Sequence, residues 1–149
     1  MAKRKKLGKL NLDDMRSLIN KKAGMNVAYD LKEDNPTEVN DWIGTGSRWL
    51  DSIISIKGMA GIPVGKITEL AGLSGTGKSY LAAQIAANAQ NKGIFVVYFD
   101  AESAVDPEFL QQSGCNVEEN FLYYQAISVK KVLESIEMLM DNYPTQRFL

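Results

Sequence analysis

The run Gly72-Leu73-Ser74-Gly75-Thr76-Gly77-Lys78-Ser79 has the residue types and spacing to hold phosphate. Its glycines let the backbone turn tightly and bring N–H groups against an anion. A helix opening at Lys78 would aim the positive end of its dipole at the same point. The lysine there reaches outer phosphates, and the adjacent serine offers a hydroxyl to a divalent cation. Every fixed position of a Gly-x-x-x-x-Gly-Lys-Ser phosphate loop is filled. The expected ligand is a nucleoside triphosphate, ATP with Mg²⁺. Gly72, Leu73, Ser74, Gly75, Thr76, Gly77, Lys78, Ser79 and Tyr80 are the candidate binding residues, and Ser79 is a metal ligand. The competing reading is a glycine-rich turn with a fortuitous lysine. The loop speaks for binding and leaves open what the energy is used for.

Such a loop needs a strand before it and a helix after it. Residues 66–71 read as the strand, with Ile67, Leu70 and Ala71 apolar. Residues 78–91 read as the helix, with Leu81, Ile85 and Ala89 on one stripe and Gly93 at its end. Residues 94–99 form an apolar run of the kind buried on both faces of a parallel sheet. Asp106 and Pro107 open a short helix that Gly114 ends. Residues 121–124 read as a strand. Ser128 caps a helix with Val129, Val132, Leu133, Ile136, Leu139 and Met140 on its apolar face. After Pro144, residues 147–149 read as the start of another strand. This alternation predicts an α/β fold, doubly wound around a mostly parallel sheet.

Upstream, Leu10, Leu12, Met15, Leu18 and Ile19 recur at helical spacing, with Gly24 as C-cap, and residues 26–31 read as a short strand. The expected organisation is a basic tail over 1–9, a helix–strand arm over 10–31, a polar linker over 32–41 and a core over 42–149. The tail carries Lys3, Arg4, Lys5, Lys6 and Lys9. It reads either as solvated chain or as an arm for phosphates or an acidic partner. The net charge of −1 points to neither nucleic acid nor membrane. One cysteine, Cys115, excludes an internal disulfide and fits a reducing compartment. Without histidine, no Cys-His nucleophile or His-based zinc site is possible. No apolar run is long enough to cross a bilayer, and a cytoplasmic location is expected.

Four segments in succession resemble the RecA-type DNA recombinases, which include bacterial RecA and phage UvsX. They are Ile43-Gly44-Thr45-Gly46-Ser47-Arg48-Trp49-Leu50-Asp51, then Gly61-Ile62-Pro63-Val64-Gly65-Lys66-Ile67-Thr68-Glu69-Leu70, then the phosphate loop, then Tyr98-Phe99-Asp100-Ala101-Glu102-Ser103-Ala104-Val105-Asp106-Pro107. The resemblance implies a RecA-like P-loop core. It implies that Glu102 activates the attacking water and that Lys78 acts with it in catalysis. It places Asp106 at the adenine amino group and Phe109 against the base. The other readings are a solvent-exposed loop carboxylate for Glu102, a helix cap for Asp106 and a core residue for Phe109. Asp100 either supports the magnesium shell or caps its own loop.

The resemblance further implies that the arm over residues 10–31 packs on a neighbouring copy to build a helical filament on single-stranded DNA, in recombination and repair. The alternative is an arm folded back on its own core. A second magnesium aspartate, two DNA loops and a sensor residue are implied by the family but are not found in this sequence. The expectation is therefore a truncated core that binds nucleotide better than it turns it over and exposes an apolar sheet edge. Other readings share the loop: a replicative-helicase-like motor or regulatory ATPase, a non-catalytic module that caps filaments, and a small-molecule kinase.

Overall fold

Asn11 starts the first helix by local chemistry alone. Its side-chain oxygen accepts the Asp13 N–H at 3.1 Å. The computed structural model describes residues 11–33, 35–55, 58 and 60–149. It divides into two units, Met1–Glu38 and Val39–Leu149. The basic tail expected over 1–9 lies outside the described residues, as does Leu10.

In the first unit, α1 spans Leu12–Ala23, with Asp13 and Asp14 in its first turn and Lys21 and Lys22 in its last. Both charge pairs complement the helix dipole. Gly24 ends it at φ 71°, the left-handed conformation expected of a glycine C-cap. Leu12, Met15, Leu18 and Ile19 are all exposed. The strand expected over residues 26–31 is not formed. Asn20 holds this segment instead: its oxygen accepts the Val27 and Ala28 N–H groups at 2.9 and 2.8 Å, and its amide donates to the Ala28 carbonyl at 3.1 Å. A lone extended segment has no ladder to join, so a side-chain amide satisfies its polar groups.

The second unit begins with β1 (Trp42–Ile43), paired antiparallel with β2 (Ile62–Pro63). Only glycine fits at Gly61, because a Cβ there would come 2.1 Å from the Ile43 carbonyl oxygen. Between these strands lies α2 (Arg48–Ile54), capped by Ser47. Thr45 and Asp51, both buried, are bonded to each other: Asp51 Oδ1 accepts the Thr45 N–H at 2.8 Å and its hydroxyl at 2.7 Å. Then follow α3 (Lys78–Gln90), β3 (Val96–Asp100), α4 (Pro107–Gln112), β4 (Phe121–Gln125) and α5 (Val129–Asn142). The strands β3 and β4 are parallel, with Tyr98 opposite Tyr123 and Asp100 opposite Gln125. On the other edge of β3, Phe95 bridges Phe148 in parallel, and the Val97 N–H donates to the Leu149 carbonyl at 2.9 Å. Residues 147–149 thus begin to pair as expected.

The core gathers on α3. Ala83, Ile85, Ala86, Ala87 and Ala89 are buried with Ile43, Ile62, Ile94, Val96, Leu110 and Cys115. Alanines let the helix approach its neighbours closely on several sides. Cys115 is buried against α3, its thiol donating to the Ala83 carbonyl at 3.1 Å. Burial pushes the thiol above its usual pKa.

The expected continuous sheet is seen only in part. The structure is mixed α/β, with one parallel pair and one short antiparallel pair. Residues 66–71, expected as the strand before the phosphate loop, form none, and Ile67 is fully exposed. A cavity of about 740 Å³ lies beside them, with Ile67 and Leu70 on one wall and Val96, Tyr98 and Phe99 of β3 on another. A strand exists only through a hydrogen-bonded neighbour, and among the described residues none pairs with this segment.

One ionic node joins distant parts of this unit. Asp41 accepts from Lys92, just past α3, and from Arg147. Those two hydrogen bonds, with the Trp42 N–H, hold its carboxyl well below the ordinary 3.8. The sign follows from linkage. A depressed folded pKa contributes stability in full above the unfolded value, and that stability is lost as pH falls through the folded value. Asp41→Asn is therefore expected to lower the urea midpoint at neutral pH. The gap to the parent chain should narrow progressively below pH 3.8, the ordinary value. An identical gap at pH 7 and pH 2 would contradict this account.

Candidate nucleotide site

The phosphate loop gets its shape from two glycines in left-handed conformations, Gly75 at φ 77° and Gly77 at φ 89°. Gly72 is constrained differently: a Cβ there would lie 2.9 Å from the Thr76 hydroxyl oxygen. That hydroxyl donates to the Leu73 carbonyl at 2.8 Å and closes the loop. Gly77 is the N-cap of α3 and offers no side-chain acceptor. The first intrahelical bond is from the Leu81 N–H to the Gly77 carbonyl, at 2.9 Å. The earlier N–H groups of α3 therefore open outward with the positive end of the dipole behind them.

Lys78 folds back over this opening. Its ammonium donates to the Gly72 and Leu73 carbonyls, each at 2.9 Å. Both carbonyls are on exposed residues, so the ammonium can exchange them for stronger acceptors at little cost. Ser79 is exposed on the first turn. A tight loop, an uncapped 13-residue helix and an ammonium held only by two exposed carbonyls among the described residues make a donor set that fits phosphate oxygens. Among the described residues no three carboxylate, histidine or cysteine side chains converge as a metal cage. The Ser79 hydroxyl suits magnesium shared with phosphate and water.

Facing the start of α3 is the loop at the end of β3. Ser79, Asp100, Glu102 and Phe109 line one cavity of about 300 Å³ together with Tyr98, Phe99, Ala101, Ala104 and Val105. Four residues singled out from the sequence are thereby brought together. Glu102 is exposed, and its carboxylate has no hydrogen-bond partner among the described residues. Asp106 lies outside the cavity lining and caps α4, accepting the Glu108 N–H at 3.0 Å. Phe109 packs on the core and also lines the cavity. Its ring meets Tyr80 edge-to-face at 6.3 Å, which links the first turn of α3 to α4.

Asp100 is buried and fully engaged. Its Oδ1 accepts the Glu102 and Ser103 N–H groups, both at 2.9 Å, and its Oδ2 accepts the Val105 N–H and the Tyr123 hydroxyl, both at 3.1 Å. Burial alone would raise its pKa, but the hydrogen bonds outweigh it and keep the carboxyl ionised below its usual range. Each oxygen already has two donors, which is its normal capacity. Of the two roles considered for Asp100, the loop cap is the one this geometry fills. Tyr123 is pushed up by burial and by its bond to Asp100. Gln125 donates to the Ser103 hydroxyl at 2.7 Å. Sequence reasoning missed Tyr123 and Gln125, because their partners are set by the register of β3 with β4.

The model of the RecA N-terminal domain matches residues 10–145. The chain is 36% identical over 129 residues to Protein RecA of Wolbachia sp. subsp. Brugia malayi, covering 87% of this chain and 35% of that protein. It is 36% identical over 126 residues to Protein RecA of Aquifex aeolicus, covering 85% and 35%. It is 34% identical over 132 residues to Protein RecA of Bifidobacterium breve, covering 89% and 32%. The chain thus spans about a third of the length of these relatives. Among the described residues no helix is long and apolar enough to cross a membrane. With one domain match running through both the phosphate loop and the carboxylate loop that faces it, the chain belongs to the RecA family.

Proposed function

We propose that this chain is the nucleotide-binding part of an ATP-dependent DNA recombinase of the RecA and UvsX kind. It acts in the cytoplasm, in homologous recombination and repair. The observation that carries the reading is the shared cavity. Ser79 from the phosphate loop and Glu102 from the facing loop line the same 300 Å³ space. Phosphoryl transfer to water needs a base beside the phosphate-binding loop, and this space brings the last loop residue and a carboxylate together.

The chain's own residues divide the work. The backbone N–H groups of Gly75, Gly77 and Lys78 meet phosphate oxygens, and the Lys78 ammonium leaves its two carbonyl acceptors for the outer phosphates. The Ser79 hydroxyl would hold magnesium, which when bound would supply charge neutralisation for the phosphates. Glu102 takes the proton of the water that attacks the terminal phosphorus, as the bond from that phosphorus to the bridging oxygen breaks and the diphosphate leaves. Phe109 gives the base an aromatic face, while the Asp106 carboxylate can accept from an adenine amino group beside its cap. The exposed Leu12, Met15, Leu18 and Ile19 of α1 support self-association into a filament through residues 10–31. Single-stranded DNA is the expected polymer partner of that filament, held through its phosphates.

The test is equilibrium titration of the chain with a fluorescent ATP analogue, with and without Mg²⁺. Saturable binding that tightens with magnesium and is displaced by unlabelled ATP is expected. Absence of saturable binding in both conditions would overturn the reading.

A further inference from the structure

Glu102 sits on a loop that would otherwise have little to fix it. The carboxylate is exposed, and the preceding Ala101 and following Ser103 and Ala104 are exposed too. What fixes the loop is a hydrogen-bond system rooted in the neighbouring strand. Asp100 gathers the N–H groups of Glu102, Ser103 and Val105 around one carboxylate. Ser103 is held at φ 53°, a left-handed conformation uncommon for a residue with a Cβ. Two side chains of β4, at positions of the same parity and so on one face of the sheet, brace this arrangement. The Tyr123 hydroxyl donates to Asp100 Oδ2 at 3.1 Å, and the Gln125 amide donates to the Ser103 hydroxyl at 2.7 Å.

The register explains the reach. Tyr98 is opposite Tyr123, two residues before the Asp100–Gln125 pair. A tyrosine is long enough to pass its hydroxyl up the strand to Asp100, where a shorter side chain at the same position would stop at Tyr98. The bond also orients the anion. With Oδ2 engaged by Tyr123 and Val105, Oδ1 is turned to the Glu102 and Ser103 N–H groups. Rotation of the carboxylate would release both at once.

We propose that Tyr123 is a positioning residue for Glu102: acting through Asp100, it fixes where the Glu102 carboxylate stands on the rim of the cavity it shares with Ser79. This rests on the reading of Glu102 as the base. It requires Asp100 to serve the loop and not the metal. Tyr123 is not among the residues that line that cavity, so its loss leaves nucleotide affinity alone and lowers the hydrolytic rate.

Tyr123→Phe removes one hydroxyl and keeps the ring. Amide hydrogen exchange and single-turnover ATP hydrolysis, with the full chain in excess, are measured for the parent, Tyr123→Phe, Glu102→Gln and the double variant. Loss of one hydrogen bond to an ionised group is expected to raise exchange at Glu102, Ser103 and Val105 roughly tenfold. Hydrolysis should slow roughly three- to tenfold with the affinity for the fluorescent ATP analogue unchanged. The double variant should be no slower than Glu102→Gln alone, because the two residues act on one step. Parental exchange in Tyr123→Phe overturns the proposal, as does faster exchange with a parental hydrolysis rate. So does additive slowing in the double variant. If Glu102→Gln itself hydrolyses at the parental rate, the reading of Glu102 as base fails and the proposal with it. That outcome is told apart from the others by the single Glu102 variant. As a second check, Asp100→Asn should bind the analogue with the same Mg²⁺ requirement as the parent. A shift of roughly tenfold to higher Mg²⁺ would return Asp100 to the metal and overturn the loop assignment.

Discussion

Lys78→Ala is expected to weaken binding of a fluorescent ATP analogue by at least a hundredfold while leaving the thermal melt where it was. The two halves of this expectation have different causes. In the free chain the ammonium satisfies only the carbonyls of Gly72 and Leu73, each at 2.9 Å, on exposed residues that water can serve equally well. Removing it strips no buried group of its partner, so the stability change should stay within about 0.5 kcal/mol. With a triphosphate in place, the same ammonium faces oxygens carrying formal charge. Charge-assisted bonds to such acceptors contribute about 1.5–3 kcal/mol each, and two of them give on the order of a hundredfold or more in affinity. Lys78→Arg should not restore it. The planar guanidinium is wider than an ammonium and cannot turn within a loop closed by the Thr76–Leu73 bond. Titration by fluorescence and a circular-dichroism melt check both halves. Unchanged affinity in Lys78→Ala would refute the phosphate-loop assignment.

Glu102→Gln is expected to separate turnover from binding. The carboxylate is exposed and has no hydrogen-bond partner among the described residues, so its replacement disturbs no contact. The backbone N–H of residue 102 still donates to Asp100, which keeps the loop in place. Glutamine has the same length and can still orient a water, but it cannot take a proton near neutral pH. Loss of general-base catalysis costs about 10²–10⁴ in rate. Affinity should hold or rise, because one negative charge is removed from the cavity that faces the phosphates. Single-turnover hydrolysis beside an equilibrium titration reads the two quantities independently. A variant that hydrolyses ATP like the parent would show that another group serves as base.

Much of this site was legible because its determinants are local. The phosphate loop, the helix that follows it, the Asp106 and Ser128 caps and the Gly24 stop all rest on neighbours a few residues away. The apolar run before Asp100 was readable as a parallel strand for a similar reason: burial on both faces leaves a continuous apolar signature. What failed was non-local. Residues 26–31 and 66–71 carry strand-like patterns, yet neither forms a strand, since a pattern cannot supply the partner. The burial of Cys115 is non-local too: α4 returns the chain to the alanine face of α3.

The sequence by itself determined the chemistry on offer: a phosphate cradle with one lysine and one serine, and a carboxylate just past an apolar strand. Only the tertiary structure decided how those groups stand to one another. It placed Ser79 and Glu102 on one cavity, left Asp106 outside its lining and engaged both oxygens of Asp100 within its own loop. It also set Tyr123 behind the carboxylate, through a bond spanning 23 residues. The physical reason is range. Turns, caps and helix dipoles act within a few residues, so type and spacing specify them. The direction of a carboxylate depends on which donors a neighbouring strand brings to it, and that is fixed only when the strands pair in register.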